Sequence, residues 1–103
     1  MITIARIKQA VAEVYGLKPE HLHGKDRTGL VSQARHLAWH LTVELVPTAT
    51  LRGIGLQYGG RDHSTVRHGI DRARQALATT PALQAKADAA THVLQRLVTE
   101  AAP

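Results

Sequence analysis

The chain has 103 residues, 44% of them hydrophobic, with 13 Lys and Arg against 8 Asp and Glu and a formal net charge of +5. The length suits one domain spanning residues 1–103, because two separate cores would each be marginal, and the apolar content is too high for a disordered chain. Zero cysteines exclude a disulfide scaffold, a thiol nucleophile and a cysteine-ligated metal site.

In chain order, Ile4, Ile7, Val11 and Val14 recur at three- and four-residue steps and predict an amphipathic helix. Thr3 is its expected N-cap and Gly16 its stop. A polar, linker-like stretch runs from Leu17 to Gly29, broken by Pro19, Gly24 and Gly29, with Leu22 tucked inward. A second helix is predicted from about Leu30 to Val46, with Val31, Ala34, Ala38, Leu41 and Leu45 inward; Pro47 ends it. A short helix follows over Thr50 to Tyr58, capped by Thr50, with Leu51, Ile54 and Tyr58 facing the core. Gly59-Gly60 predicts a tight turn. Asp62 or a neighbour then starts a longer helix lined by Val66, Ile70, Ala73 and Leu77. Thr79 or Thr80 is the expected cap of a last helix, with Pro81 in its first turn and Leu83, Ala87, Ala90, Leu94 and Leu97 inward. No alternating stretch suggests a sheet. The expected fold class is therefore all-α, a bundle of about five helices.

The charge is not spread evenly. Residues 25–74 hold eight Lys and Arg against four Asp and Glu, whereas the last 29 residues are neutral. Arginine dominates that central excess and suits bidentate contacts with phosphates and guanine edges. No apolar run approaches the ~20 residues that span a bilayer, and Arg6 and Lys8 interrupt the N-terminal pattern, so no membrane association is expected. The absence of cysteine suits a reducing cytoplasm.

A short helix, a glycine turn and a longer helix with a polar, basic face form a helix-turn-helix at about residues 50–79. The second helix of such a pair lies in the DNA major groove with its N-terminal residues at base edges. That start reads Arg61-Asp62-His63-Ser64-Thr65. Asp accepts from the cytosine amino group, His donates or accepts, Ser hydrogen-bonds, and the Thr methyl also touches a thymine methyl. Read without the turn and basic face, Asp62 would be an ordinary helix cap.

The stretch IGLQYGGRDHSTVRH, from Ile54 to His68, resembles the signature of the C-terminal DNA-binding domain of the bacterial chromosomal replication initiator, DnaA. The opening ITIARIKQAVAEVY and the segment ARHLAWHL of the second helix look similar to that domain too, so the resemblance runs from Ile2 to about Leu97. It implies a Trp-repressor-like helical fold that binds a short A/T-rich DnaA box in duplex DNA as a monomer, in the cytoplasm and at the nucleoid. By position it assigns base contacts to Asp62, His63, Ser64 and Thr65. It assigns backbone or supporting contacts to Arg35, Leu51, Arg61, His68 and Arg72, and the basic face adds Arg52 and Arg67.

The chain also departs from the family pattern. The family's basic loop places an arginine in the minor groove; by spacing that position is Gly29, with Lys25 and Arg27 as the available substitutes. Arg52 stands where Pro is frequent, and Ser64 where Thr is frequent. Major-groove reading is expected to be kept and minor-groove reading weakened. No G-x-x-x-x-G-K-[ST] string occurs, so the chain by itself would not load ATP as full-length initiators do; an excised domain and a stand-alone protein both fit.

The rival readings are weaker. His36 and His40 stand four residues apart but lack the adjacent Glu of a zinc hydrolase helix and a third ligand, so no metal or other cofactor is expected. Asp62, His63 and Ser64 are consecutive and cannot form a catalytic relay, so no enzyme or small-molecule substrate is expected. Trp39 is expected to pack on the first or last helix, and Tyr15 and Tyr58 to keep their hydroxyls at the surface. The main alternatives to specific DNA binding are a transcription regulator built from the same domain and a protein-interaction adaptor with relaxed DNA specificity.

Overall fold

The computed structural model describes residues 1–24 and 28–101. Lys25 and Arg27 lie outside the described residues. The described elements are α1 (Ile4–Tyr15), a single 3-10 turn (Pro19–Leu22), α2 (Gly29–Leu45), α3 (Leu51–Gln57), α4 (His63–Thr79) and α5 (Pro81–Glu100), with no strand among them. The protein is thus all-α, as its periodicity predicts.

Local chemistry sets most of the helix ends. Thr3 Oγ1 accepts from the Arg6 amide at 3.2 Å, and Thr50 Oγ1 from the Gly53 amide at 3.0 Å. Gly16 closes α1 in left-handed geometry. Before Pro47 the chain leaves the helical region, Val46 having φ −116° and ψ 97°, so α2 ends at Leu45. At the α4–α5 corner Thr80 holds the expected N-cap position of α5 but makes no side-chain cap bond; its carbonyl accepts from the Leu83 amide at 3.0 Å, and Pro81 occupies the first turn. Pro81 has no amide, so one donor fewer needs a partner at this helix end.

The stretch after α1 is more ordered than a linker. Its 3-10 turn drives Leu22 fully into the core, where it joins Ile7, Val11, Leu37, Ile54, Val66 and Leu94. In this core α1 packs on α5 and α2, α2 packs on α4, and α3 packs on α4. The core thereby holds α3 and α4 from behind and leaves their outer faces open.

The aromatic side chains find particular neighbours. Trp39 is buried under α4 at Gly69, and meets the Tyr58 ring edge-on at 6.0 Å between centroids. Tyr58 is fully buried, its hydroxyl beside Thr42 rather than at the surface, and burial pushes that phenol up from its ordinary value. Tyr15 is also buried, its hydroxyl donating to Gln33 Oε1 at 2.7 Å. Helical spacing places a side chain on a face but does not say which neighbour covers that face.

Candidate nucleic-acid interface

The turn between α3 and α4 is built around one carbonyl. Gly55 O accepts from the amides of Tyr58, Gly60 and Arg61, which bends the chain sharply back. Gly59 and Gly60 have φ of 84° and 81°, a region that costs non-glycine residues about 1–2 kcal/mol each. A Cβ on Gly55 would overlap the Arg61 carbonyl oxygen, so α3 needs glycine there to let the turn close.

Asp62 starts α4. Its Oδ2 accepts from the Ser64 amide at 2.9 Å and from the Ser64 hydroxyl, and these bonds hold its carboxyl below the ordinary carboxylate value. His63 Nδ1 lies 3.6 Å from Asp62 Oδ1. The carboxylate and imidazole stay 62% and 56% exposed, so capping does not withdraw them from a partner. Ser64 and Thr65 are exposed as well. The N-terminus of α4 thus presents donors, acceptors and a methyl group around the positive end of a helix dipole.

Beyond that start, Arg67, His68, Asp71 and Arg72 are exposed along α4, and Arg52 is exposed on α3. Arg74 pairs with Glu44 of α2 at 3.1 Å, which ties the outer side of α4 to its neighbour. Leu51, the first residue of α3, is partly buried against the core and lines a depression with Val43, Arg67 and Ile70. An exposed apolar side chain beside the start of α4 is Leu56, 70% exposed, which lines a depression with Arg52, Asp62 and His63. Spacing alone had not singled it out, because a lone exposed leucine carries no periodic signal.

Arg35 corrects one expectation. It is 3% exposed, its Nε donating to Leu22 O and its Nη2 to Gly24 O, each at 3.0 Å. It therefore braces the chain at Leu22 and Gly24 rather than standing at the surface where a phosphate would meet it. Arg61, partly buried, also donates to Gly24 O. Gly29, the position aligned with the family's minor-groove arginine, is the first residue of α2.

Three further residues went unread in the sequence. Lys8 is 8% exposed, its Nζ donating to the carbonyl of Gln57, the last residue of α3, at 2.7 Å, and lying 4.5 Å from the Tyr58 ring centroid. Burial lowers its ammonium from the ordinary lysine value. Gly55 and Gly69 are the other two. A glycine inside a helical pattern is itself a signal of close approach, and both positions carried it.

Among the described residues, no three His, Asp or Glu side chains converge as metal ligands would, and no helix is long and apolar enough to cross a membrane.

The fold and this face define a helix-turn-helix protein. The family described as the bacterial dnaA protein helix-turn-helix matches residues 4–73, and the chain belongs to that family. Three chromosomal replication initiator proteins, all called DnaA, are similar over nearly all of it. The one from Nitrosospira multiformis is 34% identical over 91% of this chain and 20% of its own length. The one from Symbiobacterium thermophilum is 34% identical over 94% and 19%, and the one from Levilactobacillus brevis 36% over 92% and 21%. The chain thus spans about a fifth of the length of these relatives. The likeness is to their helix-turn-helix portion, not to a catalytic domain.

Proposed function

We propose that this protein binds double-stranded DNA in a sequence-specific way, at DnaA-box-like sites, as a monomer. The N-terminus of α4 enters the major groove. Asp62, His63, Ser64 and Thr65 read base edges, with Asp62 also serving as the helix cap. Arg52, Arg67, His68 and Arg72 meet phosphates on either side, and Lys25 and Arg27 precede α2 where a loop contact is expected. The relatives are named as chromosomal replication initiators, so the role proposed is in replication initiation or its regulation. That role places the protein in the cytoplasm, at the nucleoid.

The observation that carries this reading is the exposed polar start of α4, aimed outward by the glycine turn and flanked by exposed arginines. One observation favours the second reading, an adaptor or transcription regulator with relaxed specificity. Arg35 and Arg61 both donate to Gly24 O, which leaves fewer cations for phosphate than their number suggests. Fluorescence anisotropy with a labelled DnaA-box duplex and a scrambled duplex, at two salt concentrations, separates the two. Tighter binding to the box, weakening steeply with salt, supports the first reading. Equal affinities for the two duplexes overturn it.

A further inference from the structure

The end of the 3-10 segment, Leu22 to Gly24, and the turn leading into α4 are far apart in sequence but meet at one point. The Gly24 carbonyl accepts from two guanidinium groups at once, that of Arg35 on α2 and that of Arg61 in the helix-turn-helix turn. The contact continues on both sides. Arg35 also holds the Leu22 carbonyl, and the Leu22 side chain is fully buried. Gly59, in left-handed geometry, approaches so closely that a Cβ there would lie 2.6 Å from the His23 carbonyl oxygen. Three successive carbonyls, those of Leu22, His23 and Gly24, are thus met by the core-facing arginine or by the turn.

We propose that Arg61 and Arg35 are positioning residues, a two-arginine clamp on Gly24 that locks the chain after the 3-10 turn to the turn between α3 and α4. The inference rests on the DNA-binding reading above and adds a division of labour to it. By the resemblance Arg61 would stand among the backbone contacts; here its guanidinium is turned to the Gly24 carbonyl. A backbone segment between helices is ordinarily the most mobile part of a fold, since few apolar contacts hold it. Charge-assisted donation from two planar guanidinium groups, one of them buried, gives this segment a fixed exit point. Gly24 and the turn into α4 then keep one spacing. That fixes the start of α4 relative to the rest of the fold, which the proposed reading needs because phosphate and base contacts are registered to each other.

The clamp separates experimentally from a phosphate contact. Arg61→Gln removes the guanidinium from a partly exposed position, so the fold is retained and circular dichroism verifies it. Hydrogen exchange is followed around Gly24 in the whole protein without DNA, and affinity is measured for the box and scrambled duplexes. The clamp predicts exchange at least fivefold faster near Gly24 in the variant, and a preference for the box at least fivefold lower. Arg61→Lys keeps the charge but not the planar fork, and is expected to rescue neither. A phosphate ligand would leave exchange in the free protein untouched and weaken both duplexes alike. Unchanged exchange, or an equal loss on both duplexes, overturns the clamp. Failure of the wild-type protein to prefer the box overturns the DNA reading instead, and the exchange arm still decides whether the clamp exists.

Discussion

Gly69 of α4 lies flat against the indole of Trp39 on α2. A Cβ built on Gly69 would stand 2.5 Å from Trp39 Cε3 and Cζ3 and 2.7 Å from His36 Cδ2. Trp39 is 1% exposed and braced by Tyr58, so it has little room to retreat. Helix α4 is seated on α2 at this contact, where only the absence of a side chain allows so close an approach.

Gly69→Ala is therefore expected to destabilise the protein despite better helix propensity. Alanine contributes about 1 kcal/mol in a helix relative to glycine, while overpacking costs typically about 1–3 kcal/mol. At 2.5 Å from a braced indole the upper part of that range applies, about 2–3 kcal/mol, so the net loss should be about 1–2 kcal/mol by urea unfolding. Because α4 must move to admit the methyl, box affinity should fall as well. A variant as stable as the wild type would show that α4 and α2 have more freedom than the contact implies.

Lys8 should matter for stability although it is not among the proposed DNA contacts. Its ammonium caps the end of α3 through Gln57 O, and its stem is buried. Loss of a hydrogen bond from a charged group costs about 1.5–3 kcal/mol. Lys8→Ala should lose about that much in chemical denaturation, and Lys8→Met less, because it keeps the buried stem. Equal losses in the two variants would assign the effect to the ammonium's hydrogen bond alone, and no loss in Lys8→Met would assign it to packing.

Stability should fall on acidification from neutral pH. His36 is held below its ordinary value first by burial and then by Arg35 and Arg72; His40 is lowered by burial, with Arg74 adding to this and Glu44 opposing it. A histidine lowered in the fold is protonated sooner in the unfolded chain. Its stabilising contribution is full above the unfolded value of 6.5 and is lost as pH falls through that value toward the folded one. Urea midpoints at pH 7.5 and 5.5 test this. The wild-type midpoint should drop, and His36→Gln should shrink the difference between the two pH values. An undiminished difference in the variant would remove His36 from the explanation.

Within the DNA-binding proposal, His63→Ala and Arg72→Ala should behave differently. A base contact discriminates by roughly 1–3 kcal/mol, so His63→Ala should lower the preference for box over scrambled DNA by about fivefold or more. Arg72→Ala should weaken both duplexes about equally and flatten the salt dependence by roughly one ion. Should His63→Ala leave the preference intact, the start of α4 would not be the reading element.

The legible features were those with local causes. Thr3, Thr50 and Asp62 cap their helices because a short oxygen-bearing side chain reaches an amide two or three residues on. Gly59-Gly60 turns because only glycine enters that backbone region at little cost. The burial of Ile7, Val11, Ile54 and Val66 follows from three- and four-residue spacing. The recognition-helix signature was legible for the same reason, being one uninterrupted stretch from Ile54 to His68.

The sequence by itself determined the helices, their caps, the glycine turn and the residues at the start of α4, because each depends on neighbours a few positions away. Tertiary structure alone decided what Trp39, Lys8, Arg35 and Arg61 do. Trp39 found Gly69, Lys8 found the end of α3, and the two arginines found Gly24 rather than open solvent. A guanidinium binds a backbone carbonyl or a phosphate with the same donors. Which acceptor lies within reach is a property of packing between distant segments, and no local pattern carries it.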